Sequence, residues 1–198
     1  MKQNLANIVT IIRIVGVGIL VLFFTPFATF WYQVWAVRLY WILVLSDTVD
    51  GRLARSRFGK VTKLGKVLDP VADKLLFLIY LPLILMKAIH PLPVIVLFAR
   101  DILIDNLLRN FASSRGKVIA ARVTGKVKTV IAFILAGVLL ARIKVADMPA
   151  SGIEAAVIGW FQSLPSWVVS GLTCSMVAVV IISGVDYLFS NRKVLLED

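Results

Sequence analysis

Four aspartates in the segment 46–75 have the spacing expected of paired ligands. Asp47 and Asp50 are three residues apart, and Asp69 and Asp73 are four residues apart. Side chains three or four residues apart lie on the same face of an α-helix, so each pair presents two carboxylates together. These residues are four of only 11 acidic residues in a chain of net charge +11. The pattern indicates a site that binds cations.

The four carboxylates need positive charge beside them, because two like charges 4 Å apart repel by roughly 4 kcal/mol at an effective dielectric constant near 20. Individual members could instead form salt bridges with Arg52, Arg55 or Lys74, and Asp69 could cap a helix that begins at Pro70. For the whole set, carboxylate oxygens are the ligands preferred by Mg²⁺, Mn²⁺ and Ca²⁺. Two such cations can clamp phosphates and activate an oxygen nucleophile.

Three further residues share the helical face of Asp47 and Asp50. Gly51, Ala54 and Arg55 follow at offsets that keep all five within an arc of roughly 140°. The two small residues leave space for a ligand, although small residues also mark contacts between membrane helices, and both interpretations stay open. The Arg55 guanidinium can bind a phosphate or pyrophosphate oxygen.

The composition indicates the elements that must position these residues. The chain has 198 residues, of which 60% are hydrophobic and 17% are charged. These values exclude an ordinary soluble domain and predict an all-α, polytopic membrane protein with a single domain over residues 1–198. In such a protein, excess Lys and Arg mark cytoplasmic loops and contact anionic lipids, so we expect no nucleic acid partner.

Six stretches are apolar and long enough to form transmembrane helices. They are 8–28, 33–54, 70–89, 92–113, 122–143 and 165–188. We expect a short amphipathic interfacial helix over Asn4–Thr10 and an interfacial helix or loop within 148–164. The basic connections after the second and fourth helices predict that these loops and both termini are cytoplasmic.

Four other residues receive specific predictions. Arg38, within the second predicted helix, should pair with an acid or extend to the interface. His90 precedes Pro91 and reads as a turn residue rather than a ligand. Cys174 is expected to be a small core residue, and Asp186 is expected to pair with Arg192.

The pattern Asp47-x2-Asp50-Gly51-x2-Ala54-Arg55, followed by Gly65-x3-Asp69-x3-Asp73, resembles the signature of the CDP-alcohol phosphatidyltransferases. The resemblance implies a six-helix membrane enzyme, usually a homodimer, with two divalent cations, Mg²⁺ or Mn²⁺. Such enzymes transfer a phosphatidyl group from CDP-diacylglycerol to an alcohol and release CMP. One departure is that nine residues separate Arg55 from Gly65, where the family commonly has eight.

The resemblance also implies roles for individual residues. The four aspartates would bind the metals, and Asp73 would also deprotonate the acceptor hydroxyl. The CDP site would be lined by Asp47, Gly51, Ala54, Arg55 and Gly65. The enzyme would lie in the bacterial cytoplasmic membrane among membrane lipids, with its active site facing the cytoplasm.

Three further segments, one of which overlaps the end of this signature, are similar to those of family members that use glycerol 3-phosphate as the acceptor. They are Asp69–Lys74, Ala99–Ile102 and Gly125–Thr129, with Asp101 where a Glu is expected after Arg100. We predict that the acceptor phosphate is bound by Arg100, Arg109, Lys126 and Lys128. These cations could instead serve topology and lipid contact. Other acceptors (inositol phosphate, serine, or phosphatidylglycerol as in a cardiolipin synthase) and a cation transporter are the alternative functions.

Overall fold

The computed structural model describes residues 2–23, 30–53, 74–104, 123–144 and 152–192, and all regular structure in these ranges is helical. The elements in chain order are α1 (Lys2–Phe23), α2 (Phe30–Leu53), a 3-10 helix (Leu76–Ile79), α3 (Tyr80–Leu85), α4 (Pro91–Asp101), α5 (Val123–Arg142), α6 (Ile153–Ser163) and α7 (Ser166–Ser190). The prediction of an all-α protein is confirmed for this described part of the chain.

Among the described residues, two helices are long and apolar enough to cross a membrane. These are α5, with 20 residues, and α7, with 25 residues. They agree to within two residues with the spans predicted over 122–143 and 165–188. The stretch Leu76–Leu85 is apolar but shorter. The full set of six spans therefore stays a prediction.

The start of α1 differs from the prediction. The helix is continuous from Lys2 to Phe23, so Asn4–Thr10 forms its first turns and is not a separate helix. The sequence gives a reason, because residues 2–15 contain neither Gly nor Pro to interrupt the helix.

The structure describes residues 74–89 of the third predicted span, 70–89, and these contain two types of helix. A 3-10 helix precedes α3, and α3 ends at Leu85. Pro82 lies in the first turn of α3, where its missing N–H is tolerated. The chain then turns through Lys87, whose φ of 56° is in the left-handed region. The helix is thus four residues shorter at this end than the prediction, which extended to residue 89.

The residues on either side of α4 are also informative. His90 Nδ1 accepts a hydrogen bond from the Leu92 N–H at 3.3 Å and caps the helix, so its predicted role as a turn residue is confirmed. At the other end, α-helical geometry stops at Asp101 and residues 102–104 form a π-helical turn. Such wider turns are common at functional sites.

The chain divides into two compact units. The first comprises Met1–Ile89 with Ala136–Ser163, and the second comprises His90–Leu135 with Leu164–Asp198. Helix α5 contributes its second part to the first unit and its first part to the second.

In the first unit, α2 contacts α1 and α5 closely at two glycines. A β-carbon added at Gly16 of α1 would lie 2.8 Å from Leu43 Cδ2. One added at Gly137 of α5 would lie 2.6 Å from Trp41 Cζ2 and 3.3 Å from Tyr40 Cε1. Tyr40 is fully buried, and an indole ring does not bend, so the contact at Gly137 requires the absence of a side chain.

We therefore expect Gly137→Ala to destabilise the protein by about 1–3 kcal/mol through overpacking against Trp41. The matched control is Gly18→Ala in α1, where no described atom lies within 4 Å of the added β-carbon. The control should be neutral or slightly stabilising, because Ala favours the helix over Gly by about 1 kcal/mol. Thermal unfolding in detergent measures both effects. Equal melting temperatures for the two variants would contradict the close contact at Trp41.

Gln33 of α2 caps the carboxyl end of α5. Its side-chain amide is 1% exposed and donates hydrogen bonds to the carbonyl oxygens of Leu140, at 2.9 Å, and Ile143, at 2.6 Å. Gln162 of α6 donates to the same Ile143 oxygen at 3.0 Å. The last carbonyl groups of a helix lack partners within the helix, and here two glutamines supply them.

Helix α6 packs against the first turns of α2. Phe30 and Val34 form a buried apolar cluster with Ala155 and Ile158. Arg38 forms an ion pair with Glu154, which confirms that it pairs with an acid. Of the two forms expected within 148–164, an interfacial helix or a loop, the structure shows a helix over Ile153–Ser163.

The second unit contains α4, the first part of α5 and α7. Residues at spacings of four, three and four form the buried face of α7: Met176, Val180, Ser183 and Tyr187. Several large apolar side chains on the rest of α7 are exposed, as suits a helix surrounded by lipid: Trp167, Ile181, Ile182, Leu188 and Phe189. Cys174 is exposed as well, so the prediction that it lies in the core is wrong.

Candidate functional site

The first half of the aspartate motif lies on α2. This helix continues to Leu53, so Asp47 lies about one turn before the adjacent residues Asp50 and Gly51 on a single helix, as their spacing predicted. Several predicted site residues lie outside the described residues: Ala54, Arg55, Gly65, Asp69, Asp73 and Arg109. Carboxylate donors match the oxygen ligands that Mg²⁺ and Mn²⁺ take, so the residue types fit the predicted metals.

A buried cluster of charges joins α4 to α5 in the second unit. The Lys128 ammonium donates to Asp101 Oδ1, and Arg100 Nη1 lies 3.2 Å from the same oxygen. Asp101 is 7% exposed and Lys128 is 3% exposed. Charges are rarely buried to this degree unless they are paired. Arg100 and Lys128, two of the four residues predicted to bind the acceptor phosphate, thus both contact the Asp101 carboxylate.

The Arg100 side chain extends across both neighbouring helices of its unit. A β-carbon added at Gly184 of α7 would lie 3.6 Å from Arg100 Cγ, and one added at Gly125 of α5 would lie 3.7 Å from Arg100 Nη2. The aliphatic part of Arg100 therefore lies against α7 and its guanidinium group lies against α5. Lys128 follows Gly125 by three residues and lies on the same face of α5. Both cations consequently meet at the first turns of α5.

A second polar contact links the same ends of α5 and α7. Thr124 Oγ1 donates to Asp186 Oδ2 at 3.0 Å, and Thr129 Oγ1 donates to the Gly125 carbonyl oxygen at 3.1 Å. The sequence predicts that Asp186 pairs with Arg192, whereas the structure shows Asp186 accepting a hydrogen bond from Thr124. These contacts fix the beginning of α5, where Lys126 and Lys128 lie.

The structure distinguishes the two lysines. Lys126 is exposed, whereas Lys128 is buried against Asp101. Residues two apart on a helix point to different sides, which explains why neighbouring residues of the same type differ. Sequence reasoning did not assign a role to Asp101. An acidic residue directly after Arg100 in an apolar helix was the available signal, since such a residue needs a cationic partner.

Comparison with known proteins identifies the class. The CDP-alcohol phosphatidyltransferase family model matches residues 3–167, a range that includes the aspartate motif and the Arg100–Asp101–Lys128 cluster. The chain belongs to the CDP-alcohol phosphatidyltransferase family.

Curated relatives within this class point to one member reaction. A protein of Salmonella choleraesuis (strain SC-B67) is 35% identical over 136 residues, which cover 65% of this chain and 72% of the relative. A protein of Escherichia coli (strain K12) is 34% identical over 135 residues, with the same two coverages of 65% and 72%. One of Rickettsia bellii is 33% identical over 109 residues, or 53% of this chain and 58% of the relative. All three are named CDP-diacylglycerol–glycerol-3-phosphate 3-phosphatidyltransferase.

Proposed function

We propose that this chain transfers the phosphatidyl group of CDP-diacylglycerol to sn-glycerol 3-phosphate, giving phosphatidylglycerophosphate and CMP. The observation that carries the proposal is the similarity to enzymes named for this reaction over about two thirds of the chain. The buried cationic cluster supports it. Glycerol 3-phosphate carries a dianionic phosphate, and guanidinium and ammonium groups are its usual partners in proteins.

Binding of the two substrates is assigned to different residues. Arg100 and Lys128, with Lys126 and Arg109, bind the acceptor phosphate. The face of α2 that carries Gly51, with Ala54, Arg55 and Gly65, binds the CDP group. Asp47, Asp50, Asp69 and Asp73 would hold two divalent cations, which when bound would neutralise the pyrophosphate and the departing CMP.

The reaction is a displacement at the phosphorus of the phosphatidyl group. Asp73 accepts the proton of the acceptor's sn-1 hydroxyl, and that oxygen forms a bond to the phosphorus as the bond to the CMP oxygen breaks. The proton remains on Asp73 until it passes to water. The net change is one phosphate ester formed and one phosphoanhydride bond cleaved.

The setting of the enzyme is part of the proposal. We place it in the bacterial cytoplasmic membrane as a homodimer with six transmembrane helices, and with both termini and the active site on the cytoplasmic side. The two apolar helices α5 and α7 support a membrane location. The basic connections in the sequence support the orientation.

The decisive assay measures CMP release by purified protein in lipid nanodiscs with Mn²⁺ and CDP-diacylglycerol. Glycerol 3-phosphate, inositol phosphate, serine and phosphatidylglycerol are supplied separately. Release with glycerol 3-phosphate alone is the expected result. Release with a different acceptor would reassign the enzyme within its family, and no release with any acceptor would favour the cation transporter.

Metal removal gives a further prediction. Chelation with excess EDTA should abolish CMP release, because four carboxylates without cations would repel both one another and the pyrophosphate. Added Mg²⁺ or Mn²⁺ should restore the rate, whereas Zn²⁺ should restore little, since all four proposed ligands are carboxylates, which suit Mg²⁺ and Mn²⁺. Full activity in EDTA would contradict the metal assignment.

A further inference from the structure

We propose that Asp101 is a positioning residue of the acceptor site, which holds the Arg100 guanidinium and the Lys128 ammonium where they can bind the acceptor phosphate. The inference deepens the proposed function and rests on it. The observation that carries it is that one carboxylate oxygen, Asp101 Oδ1, accepts from both cations. Those cations come from different helices, α4 and α5.

The burial of the three groups explains why a carboxylate is needed. The side chains of Arg100, Asp101 and Lys128 are 10%, 9% and 4% exposed. Water therefore does little to stabilise the two positive charges or to screen their mutual repulsion. The negative charge of the Asp101 carboxylate stabilises both cations and offsets the repulsion between them. It therefore keeps the two cations close together where they would otherwise separate.

Asp101 acts through these cations and does not bind the phosphate itself. A carboxylate only accepts hydrogen bonds and repels another anion, so direct contact with a dianion is unfavourable. A guanidinium has five N–H donors and an ammonium has three. A single shared oxygen is therefore compatible with a second anionic ligand on the same two groups.

Two glycines beside Arg100 leave the space through which its side chain reaches α5. Gly184 leaves room for the aliphatic part of Arg100, and Gly125 leaves room for its guanidinium group. The Arg100 side chain therefore extends from α4, past α7, to the face of α5 that carries Lys128. Asp101 then holds the guanidinium group in place, because its Oδ1 lies 3.2 Å from Arg100 Nη1.

The test compares Asp101→Asn, which removes the charge, with Asp101→Glu, which retains it. The matched control is Glu154→Gln, since Glu154 is also an acid paired with a cation, Arg38, and has no assigned role in substrate binding; the KM values for both substrates should stay unchanged in this control. For Asp101→Asn we expect the KM for glycerol 3-phosphate to rise roughly 10- to 100-fold, the size of losing one or two charge-assisted hydrogen bonds. The KM for CDP-diacylglycerol should change less than about twofold, and Asp101→Glu should recover most of the loss.

Three results would overturn the inference. They are an unchanged KM for glycerol 3-phosphate in Asp101→Asn, an equal rise in both KM values, and a loss in Asp101→Glu as large as that in Asp101→Asn. If Asp101→Asn does not fold, Lys128→Gln is compared with the double variant Asp101→Asn/Lys128→Gln, which differs only in the carboxylate beside Arg100. A higher KM for glycerol 3-phosphate in the double variant supports the inference, and equal values refute it.

A binding measurement separates this inference from the proposed reaction. Isothermal titration of glycerol 3-phosphate into wild-type and Asp101→Asn protein reports anion binding without turnover. If wild-type protein binds it in an Asp101-dependent way but releases no CMP, the positioning role stands and the proposed reaction falls. If it releases CMP with glycerol 3-phosphate and both proteins bind equally tightly, the reaction stands and the positioning role falls. If wild-type protein neither binds nor reacts, both fall.

Discussion

Replacement of Asp73 by Asn is expected to lower kcat for CMP release by about 10²- to 10⁴-fold at saturating metal and substrates, the range attributed to a general base. Asn keeps the size of the side chain and removes its capacity to accept the proton of the acceptor hydroxyl. The protein should remain folded, because the change is close in shape. The measurement is steady-state CMP release by purified variants with glycerol 3-phosphate as the acceptor.

The base role of Asp73 can be separated from its metal role by comparison with Asp47→Asn. Asp47 is assigned to metal and CDP binding, so its replacement should raise the concentration of Mn²⁺ needed for half-maximal activity. Asp73→Asn should leave a low kcat that added Mn²⁺ does not restore. Glu154→Gln, which changes an acid paired with Arg38 away from the assigned site residues, serves as the control that retains activity. Near-normal turnover by Asp73→Asn would eliminate the base assignment.

Replacement of Lys128 by Met is expected to destabilise the protein by about 3 kcal/mol. Removing one partner of a buried ion pair leaves the other charge buried with less compensation, and such changes cost about 3–5 kcal/mol. Arg100 still contacts Asp101, so the lower end of this range applies. Met fills a similar volume and removes only the charge and its hydrogen bonds.

Lys126→Met is the matched control for this prediction. It removes the same group two residues away on the same helix, at an exposed position, and should change stability by less than about 0.5 kcal/mol. Thermal unfolding of both variants in the same detergent provides the measurement. Similar melting temperatures would contradict the buried ion pair. Separately, both variants should weaken binding of glycerol 3-phosphate.

The sequence predicted helices best where long apolar runs have clear ends. The run that became α5 begins after Arg122, and α7 begins directly after Pro165, so both were located to within two residues. The change from 3-10 to α-helix before Tyr80 and the π-helical turn after Asp101 were not predicted. A continuous apolar run carries no periodicity that would distinguish one helical type from another.

The candidate site was predictable in its residue types and less so in its contacts. Spacing along one helix indicated that Asp47 and Asp50 share a face, because that relation depends only on helical geometry. The pairing of Asp101 with Lys128 joins residues 27 positions apart on two helices. Which faces of two helices meet depends on tertiary packing, and no local pattern specifies it. For the same reason, Cys174 was wrongly placed in the core, since both faces of its helix are apolar.

The Gln33 cap has a consequence for the opposite end of α2. Gln33 precedes Asp47 by 14 residues, or about 21 Å along the helix axis. Its hydrogen bonds to Leu140 and Ile143 fix the axial register of α2 against α5. A slip of one helical turn would break these bonds and move both aspartates by about 5.4 Å. An uncharged amide near the first turn of α2 thus helps to set where the backbone positions of Asp47 and Asp50 lie along the axis of this helix.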